Sequence, residues 1–209
     1  MATPDTRTQI LDAAEHLFAE HGYRGTSVRA ITKLAGANLA AVGYHFGSKA
    51  ELMGAVVRRV VEPITAAQCA GLDALLARTP EPSVSELVEA FAGPLFDEMP
   101  AGGEGGARTS RLIVTILSDP AEEARSWTGP ADDSVRERYF AAFTRALPGV
   151  SSEELAFRMR GIFAVTAVDR LQVHQQSTPG CMSPVAGDAA RRWAITFLTA
   201  AMSAPPIRP

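Results

Sequence analysis

Cysteine is scarce in this chain, and acidic residues are missing from one stretch that keeps its basic ones. The two cysteines among 209 residues, Cys69 and Cys181, have neither the density of a disulfide scaffold nor metal-ligand spacing, which predicts two reduced thiols. The four histidines, His16, His21, His45 and His174, are scattered without ligand spacing, so no metal or other cofactor is expected. No run approaches roughly eighteen consecutive apolar residues, and the opening M-A-T-P-D-T-R lacks the apolar core of a secretory signal. A cytoplasmic protein with no membrane partner is expected. Catalytic signatures are missing too: there is no G-x-S-x-G elbow, no H-E-x-x-H and no P-loop, and G-G-E-G-G follows no strand pattern. An enzyme is therefore disfavoured.

What is present is ordinary globular composition, 46% hydrophobic and 21% charged, enough for one or two domains. A net charge of -3 argues mildly against a polyanionic partner. The distribution argues the other way. From Gly22 to Ala50 there is no Asp or Glu, while Arg24, Arg29, Lys33 and Lys49 supply positive charge, so the average hides a local basic patch.

Apolar periodicity predicts an all-α fold. Ile10, Leu11, Ala14, Leu17 and Phe18 mark a first helix that opens at Thr3-Pro4 and ends near Gly22. Thr26-Ser27 caps a short second helix carrying Val28, Ile31 and Leu34, which Gly36 stops. Asn38 caps a third over Leu39 to His45, and the box Ser48-x-x-Glu51 opens a fourth to about Val61, with Pro63 kinking or ending it. The same start signal recurs at Ser83-x-x-Glu86, Ser134-x-x-Glu137 and Ser151-x-x-Glu154. The run from Arg111 to Leu117 reads as helix, since a strand there would have no partner. Loops are expected at Pro100 to Gly106 and Ser177 to Gly187. The predicted architecture is an N-terminal three-helix helix-turn-helix domain over residues 1–62 and an all-helical second domain over 63–209.

Two short helices joined at Ala35-Gly36-Ala37 match a helix-turn-helix, whose second helix lies in the major groove of duplex DNA. Leu39, Ala40, Ala41 and Val42 are small enough to approach base edges and touch thymine methyl groups, while Arg29 and Lys33 can neutralise phosphates. Tyr44 can donate its hydroxyl to a phosphate, His45 can do so or reach a base, and Phe46 would anchor the turn. Lys49, beside the Ser48 cap, makes a second phosphate clamp.

The stretch T-S-V-R-A-I-T-K-L-A-G-A-N-L-A-A-V-G-Y-H-F-G-S-K-A-E-L, preceded by L-F-A-E-H-G-Y-R-G-T-S, resembles the helix-turn-helix of the tetracycline-repressor (TetR) family of bacterial regulators. The resemblance covers about residues 7–60. It implies that Thr26 caps the second helix and touches the DNA backbone, that Tyr44 and Lys49 hold phosphates, and that Leu39 to Gly43 face bases. The capping residues Ser27 and Asn38 complete this candidate surface. The resemblance departs at Asn38, where the family commonly has Ser, and at Gly43, where it usually has a larger residue.

Beyond Pro63 the resemblance implies a helical regulatory domain that binds a small-molecule effector and dimerises through its last two long helices. M-R-G-I-F-A-V-T-A-V, with Ile162 and Phe163, is apolar on nearly every side, and Trp193, Phe197 and Leu198 lie on one stripe of the final helix. Together they would form a four-helix homodimer interface. Phe91, Phe96, Met99, Leu112, Trp127, Tyr139 and Phe143 are candidate walls of an effector pocket, and Asp169 a polar contact in it. The expected function is a ligand-responsive repressor acting on a pseudo-palindromic operator. An effector-free DNA-binding or interaction protein is the alternative.

Overall fold

The computed structural model describes residues 5–97, 108, 109, 111, 112, 130–170 and 188–206. Among them lie no strand and eight helices with both ends described, besides helical residues at 108, 109, 111 and 112: α1 (Thr6–Gly25), α2 (Val28–Ala35), α3 (Leu39–Phe46), α4 (Lys49–Arg78), α5 (Val84–Asp97), α6 (Pro130–Ala146), α7 (Ser152–Arg170) and α8 (Asp188–Met202). The chain divides into two compact units. One runs to Glu62 and takes in Arg108, Thr109, Arg111 and Leu112; the other starts at Pro63 and includes α5 to α8.

In the first unit the helix starts are local chemistry. The Ser27 Oγ accepts from the Ala30 N–H at 3.1 Å, the Asn38 Oδ1 from the Ala41 N–H at 2.8 Å, and the Ser48 Oγ from the Glu51 N–H at 3.1 Å. Each satisfies one of the orphan donors of a first turn and contributes about 1 kcal/mol. α1 starts differently from its sequence signal: Asp5 occupies the N-cap and its carbonyl accepts from the Gln9 N–H at 3.0 Å, so the helix opens after Pro4 rather than on it. Near the far end α1 is interrupted. Gly22 has φ 69° and ψ 175°, a region open essentially only to glycine, and the chain resumes helical turns to Gly25. Thr26 ties that break down, its hydroxyl lying 3.0 Å from the Leu17 carbonyl and 2.8 Å from that of Gly22.

Ile10, Ala14 and Phe18 of α1, Ile31 of α2, Val42 and Phe46 of α3, and Leu52, Met53, Val56 and Val57 of α4 form one buried core, with Leu112 in it. Burying each large apolar side chain stabilises the unit by about 1.5–3 kcal/mol. Arg59 of α4 binds Asp12 at 2.6 Å and also Glu15, and Arg108 stands 3.9 Å from Glu15.

α4 passes Pro63 without ending, losing only the one hydrogen bond that proline cannot donate. An 18-residue window of α4 has mean hydropathy 1.3, apolar and long enough for a bilayer span. In this fold its Ile64, Leu72 and Leu75 are buried against protein, and Gln68 is committed to core hydrogen bonds.

The second unit is organised by rings. Phe91 of α5 sits 4.7 Å from Tyr139 and 6.5 Å from Phe143 of α6, and 5.4 Å from Phe163 of α7, between centroids. A polar thread runs through them: Tyr139 donates to the Gln68 carbonyl at 2.9 Å, and Gln68 Nε2 donates to the Phe91 carbonyl at 2.7 Å. Burial pushes the Tyr139 hydroxyl well above its ordinary pKa, which keeps it a donor. α5 opens with a reciprocal capping box, Ser83 N–H to Glu86 at 2.9 Å and Glu86 N–H to Ser83 Oγ at 3.3 Å. Ser151 likewise caps α7, its Oγ accepting from the Glu154 N–H at 3.2 Å. Ser134-x-x-Glu137 marks no start, because α6 already begins at Pro130, where a missing N–H costs nothing. Arg158 reaches from α7 to the end of α8 and donates to the Met202 carbonyl at 2.5 Å, a cation at a helix C-terminus. Arg111 and Leu112 are helical; the rest of that run, and both predicted loops, lie outside the described residues.

Candidate nucleic-acid interface

The turn between α2 and α3 depends on Gly36, whose φ of 64° is left-handed. Its N–H donates to the Lys33 carbonyl at 3.4 Å and the Ala37 N–H to the Thr32 carbonyl at 3.0 Å, closing α2 as the chain turns into α3. In α3 the helical period then sorts the residues. Val42 and Phe46, four apart, point into the core. Leu39 (54% exposed), Ala40, Gly43 and Tyr44 (86% exposed) face outward. Ala41 is half-buried, and so is His45, whose ring meets Tyr44 edge-on at 5.0 Å and Phe46 at 6.3 Å.

Arg24, Arg29 and Lys33 are exposed, and Lys49 is half-buried with its ammonium 4.3 Å from the Tyr23 ring centroid. Partial burial holds the Lys49 pKa below its ordinary value. Arg7 stands over the Phe46 ring at 5.3 Å. The carboxylates of α1 are largely engaged: Asp12 and Glu15 by Arg59, and Glu20 by His16 at 3.4 Å when that histidine is protonated. Arg24, the cations of α2 and Lys49 at the head of α4 therefore keep their field.

Two candidate DNA contacts are corrected by burial. Thr26 is 3% exposed and its hydroxyl is spent on two backbone carbonyls, so it cannot reach a phosphate; Ser27, not Thr26, caps α2. Val42 packs in the core, sharing the inward face of α3 with Phe46. Ser27 and Asn38 are exposed but their side-chain oxygens are occupied as caps. Tyr23 and Arg7 join this surface only in the fold. Tyr23 meets Lys49 from a different helix, and Arg7 lies before the acid-free run.

The second unit needs similar sorting. Phe91, Phe96, Tyr139 and Phe143 are buried in it, whereas Leu112 belongs to the core of the first unit. Met99, Trp127 and the side chain of Asp169 lie outside the described residues. Of the proposed dimer residues, Ile162 and Leu198 are buried within the chain's own core, so they are not free to meet a partner. Phe163 is half-buried against Phe91. Trp193 and Phe197 are 63% and 60% exposed, and Phe157 of α7, which periodicity did not single out, is 69% exposed.

A three-helix head with a helix-turn-helix, joined to a separate helical body, has the build of a helix-turn-helix regulator. Comparison with known proteins makes the class specific. The family model described as bacterial regulatory proteins, tetR family, matches residues 10–56, and the one described as tetracyclin repressor-like, C-terminal domain, matches residues 89–201. The chain belongs to the tetR family, whose members are transcriptional regulators and not enzymes. It is 41% identical over 54 residues to the HTH-type transcriptional repressor AcnR of Corynebacterium efficiens, covering 26% of this chain and 29% of that protein. With the HTH-type transcriptional regulatory protein RaaS of Mycobacterium tuberculosis it shares 32% identity over 115 residues, 55% of this chain and 53% of that one. The chain thus spans between about a third and a half of the length of these curated relatives. A putative tetR family transcription regulator from Shewanella sp. PV-4 has the same fold, with TM-score 0.64 at 17% identity over 97% of this chain and all of that one. The multidrug binding protein EbrR complexed with malachite green matches with TM-score 0.57 at 22% identity, covering 95% of this chain and 98% of that one.

Proposed function

We propose that the protein is a homodimeric transcriptional repressor that binds a pseudo-palindromic operator through α2 and α3 and releases it when a small-molecule effector binds. The observation that carries this reading is the outward face of α3, where Leu39, Ala40, Gly43 and Tyr44 stand free, with the exposed cations Arg24, Arg29 and Lys33 nearby in sequence and Lys49 at the start of α4. Tyr44 and Lys49 bind phosphates, and Arg29 and Lys33 neutralise the backbone beside them. Residues 1–62 are the DNA-binding domain. Residues 63–209 dimerise and hold the effector, although Arg108 to Leu112 fold with the first unit.

Dimerisation is supported by Trp193 and Phe197 on α8 and Phe157 on α7, large apolar side chains left open in the single chain. A twofold axis gives half-sites about one helical turn apart. The effector site would draw on the apolar residues of the second unit, where Phe91, Tyr139, Phe143 and Phe163 form a packed ring cluster, and the neighbour EbrR is complexed with malachite green. An effector weakens DNA binding only by preferring the conformation that binds DNA poorly. The test is selection of duplexes from a random library by the purified protein, followed by footprinting in dilute buffer. An enriched site with dyad symmetry is expected, with affinity falling steeply in salt; enrichment of no sequence overturns the proposal.

A further inference from the structure

On its outward face α3 carries one hydrogen-bonding side chain, Tyr44, which the reading above assigns to a phosphate. Its outward side chains in the first turns are Leu39 and Ala40, and Gly43 adds none. A Cβ placed on Gly43 would meet nothing within 4 Å, so one turn beyond Leu39 the helix carries no side chain and its backbone lies open. At the helix start the side-chain oxygens are engaged, the Asn38 Oδ1 holding the Ala41 N–H and the Ser27 Oγ the Ala30 N–H, which leaves the Asn38 amide nitrogen as the one base-reading donor of that turn. His45 is half-buried between the rings of Tyr44 and Phe46. Guanine is read through its O6 and N7 acceptors, adenine through N7 and N6, and both need a donor or an amide at the right place. Thymine alone among the four bases offers an apolar group in the major groove, its 5-methyl. The surface around the apolar face is cationic, with Arg29, Lys33 and Lys49 suited to hold the duplex against it.

We propose that α3 selects its site through thymine methyl groups, contacted by Leu39 and Ala40, with the bare backbone at Gly43 allowing the base edge to come close. This rests on the DNA-binding reading above and gives that reading its chemical basis for specificity. The methyl, and not the thymine O4, carries the discrimination, so 5-methylcytosine at the same place is read as a thymine substitute. Burying one methyl corresponds to about fourfold in affinity.

The experiment uses the duplex enriched by the full-length protein, resynthesised with deoxyuridine replacing thymidine at one position at a time. Deoxyuridine removes the methyl and keeps O4. A loss of about fourfold is expected at one to three positions of each half-site. At those positions a C·G pair binds weakly and its 5-methylcytosine form recovers most of the loss. In Leu39→Ala and Ala40→Gly, checked for helix content by circular dichroism, the thymidine-to-deoxyuridine ratio at one of those positions falls toward one. Indifference to deoxyuridine everywhere overturns the proposal while leaving DNA binding intact. So does a methyl effect that neither variant diminishes. A protein that enriches no sequence overturns the DNA-binding reading itself, and this one with it.

Discussion

The Lys49 ammonium stands 4.3 Å from the centroid of the Tyr23 ring, and Tyr23 in turn lies 6.0 Å from Phe18, a core residue of α1. A flexible lysine at the head of α4 is thereby held against a half-buried ring. Restricting its rotamers before DNA arrives lowers the entropy lost on binding.

Removing that support has a graded outcome. A cation–π contact at such a site contributes about 0.5–1 kcal/mol, so Tyr23→Leu should weaken duplex binding about two- to fivefold, and Tyr23→Phe, which keeps the ring, should weaken it less. Lys49→Ala and Tyr44→Ala should weaken selected and random duplexes alike, and Lys49→Ala should lower the salt slope by about one. Fluorescence anisotropy at several salt concentrations measures all of these. Equal losses in the Leu and Phe variants would remove the ring from the account.

Thr26→Val separates a folding role from a contact role. The hydroxyl bonds two carbonyls at the break in α1 and is shielded from solvent. Its loss should destabilise the first unit by about 1–3 kcal/mol, because buried acceptors are left short of partners. Under conditions where the variant stays folded, its duplex affinity and salt slope should match those of the parent. A reduced salt slope in a fully folded Thr26→Val protein would return Thr26 to the phosphate contacts.

The cap of α5 makes stability depend on acid. Hydrogen bonds from the Ser83 backbone and then its hydroxyl, followed by Arg78, hold the Glu86 carboxyl below the ordinary glutamate range. A depressed carboxyl pKa stabilises the fold fully above the unfolded value of about 4.3, and that contribution fades as pH falls through the folded value. Glu86→Gln should therefore flatten the acid limb of a plot of Tm against pH and leave the limb above pH 6 parallel to the parent. An unchanged acid limb would mean the box contributes nothing.

Two variants address dimerisation. Trp193→Ser with Phe197→Ser changes side chains that are open in the single chain, so the fold should persist while sedimentation equilibrium shows a shift toward monomer. Leu198→Ser, next in sequence but buried, should instead lower thermal stability by about 2–5 kcal/mol. A double variant that remains as associated as the parent would move the interface elsewhere.

Helix existence and most helix starts were legible in the residues, because capping and turn chemistry act within four positions. Ser27, Asn38, Ser48, Ser83 and Ser151 each receive an N–H from three residues on, and Gly36 takes the left-handed turn that its lack of Cβ permits. The acid-free stretch likewise announced a cationic surface without reference to any fold. Ser134 misled, since a proline four residues earlier had already begun the helix.

What only the tertiary structure decided is which side of each helix is covered. Leu39 and Val42, or Leu198 and Phe197, are equally apolar as letters, and a difference of a few residues turns one outward and its neighbour inward. The same holds for Leu112, which joins a core distant in sequence, and for Tyr23 and Lys49, brought together from different helices. Capping energies are local and so written in short stretches of sequence; burial is a property of what else packs nearby, which no short stretch contains.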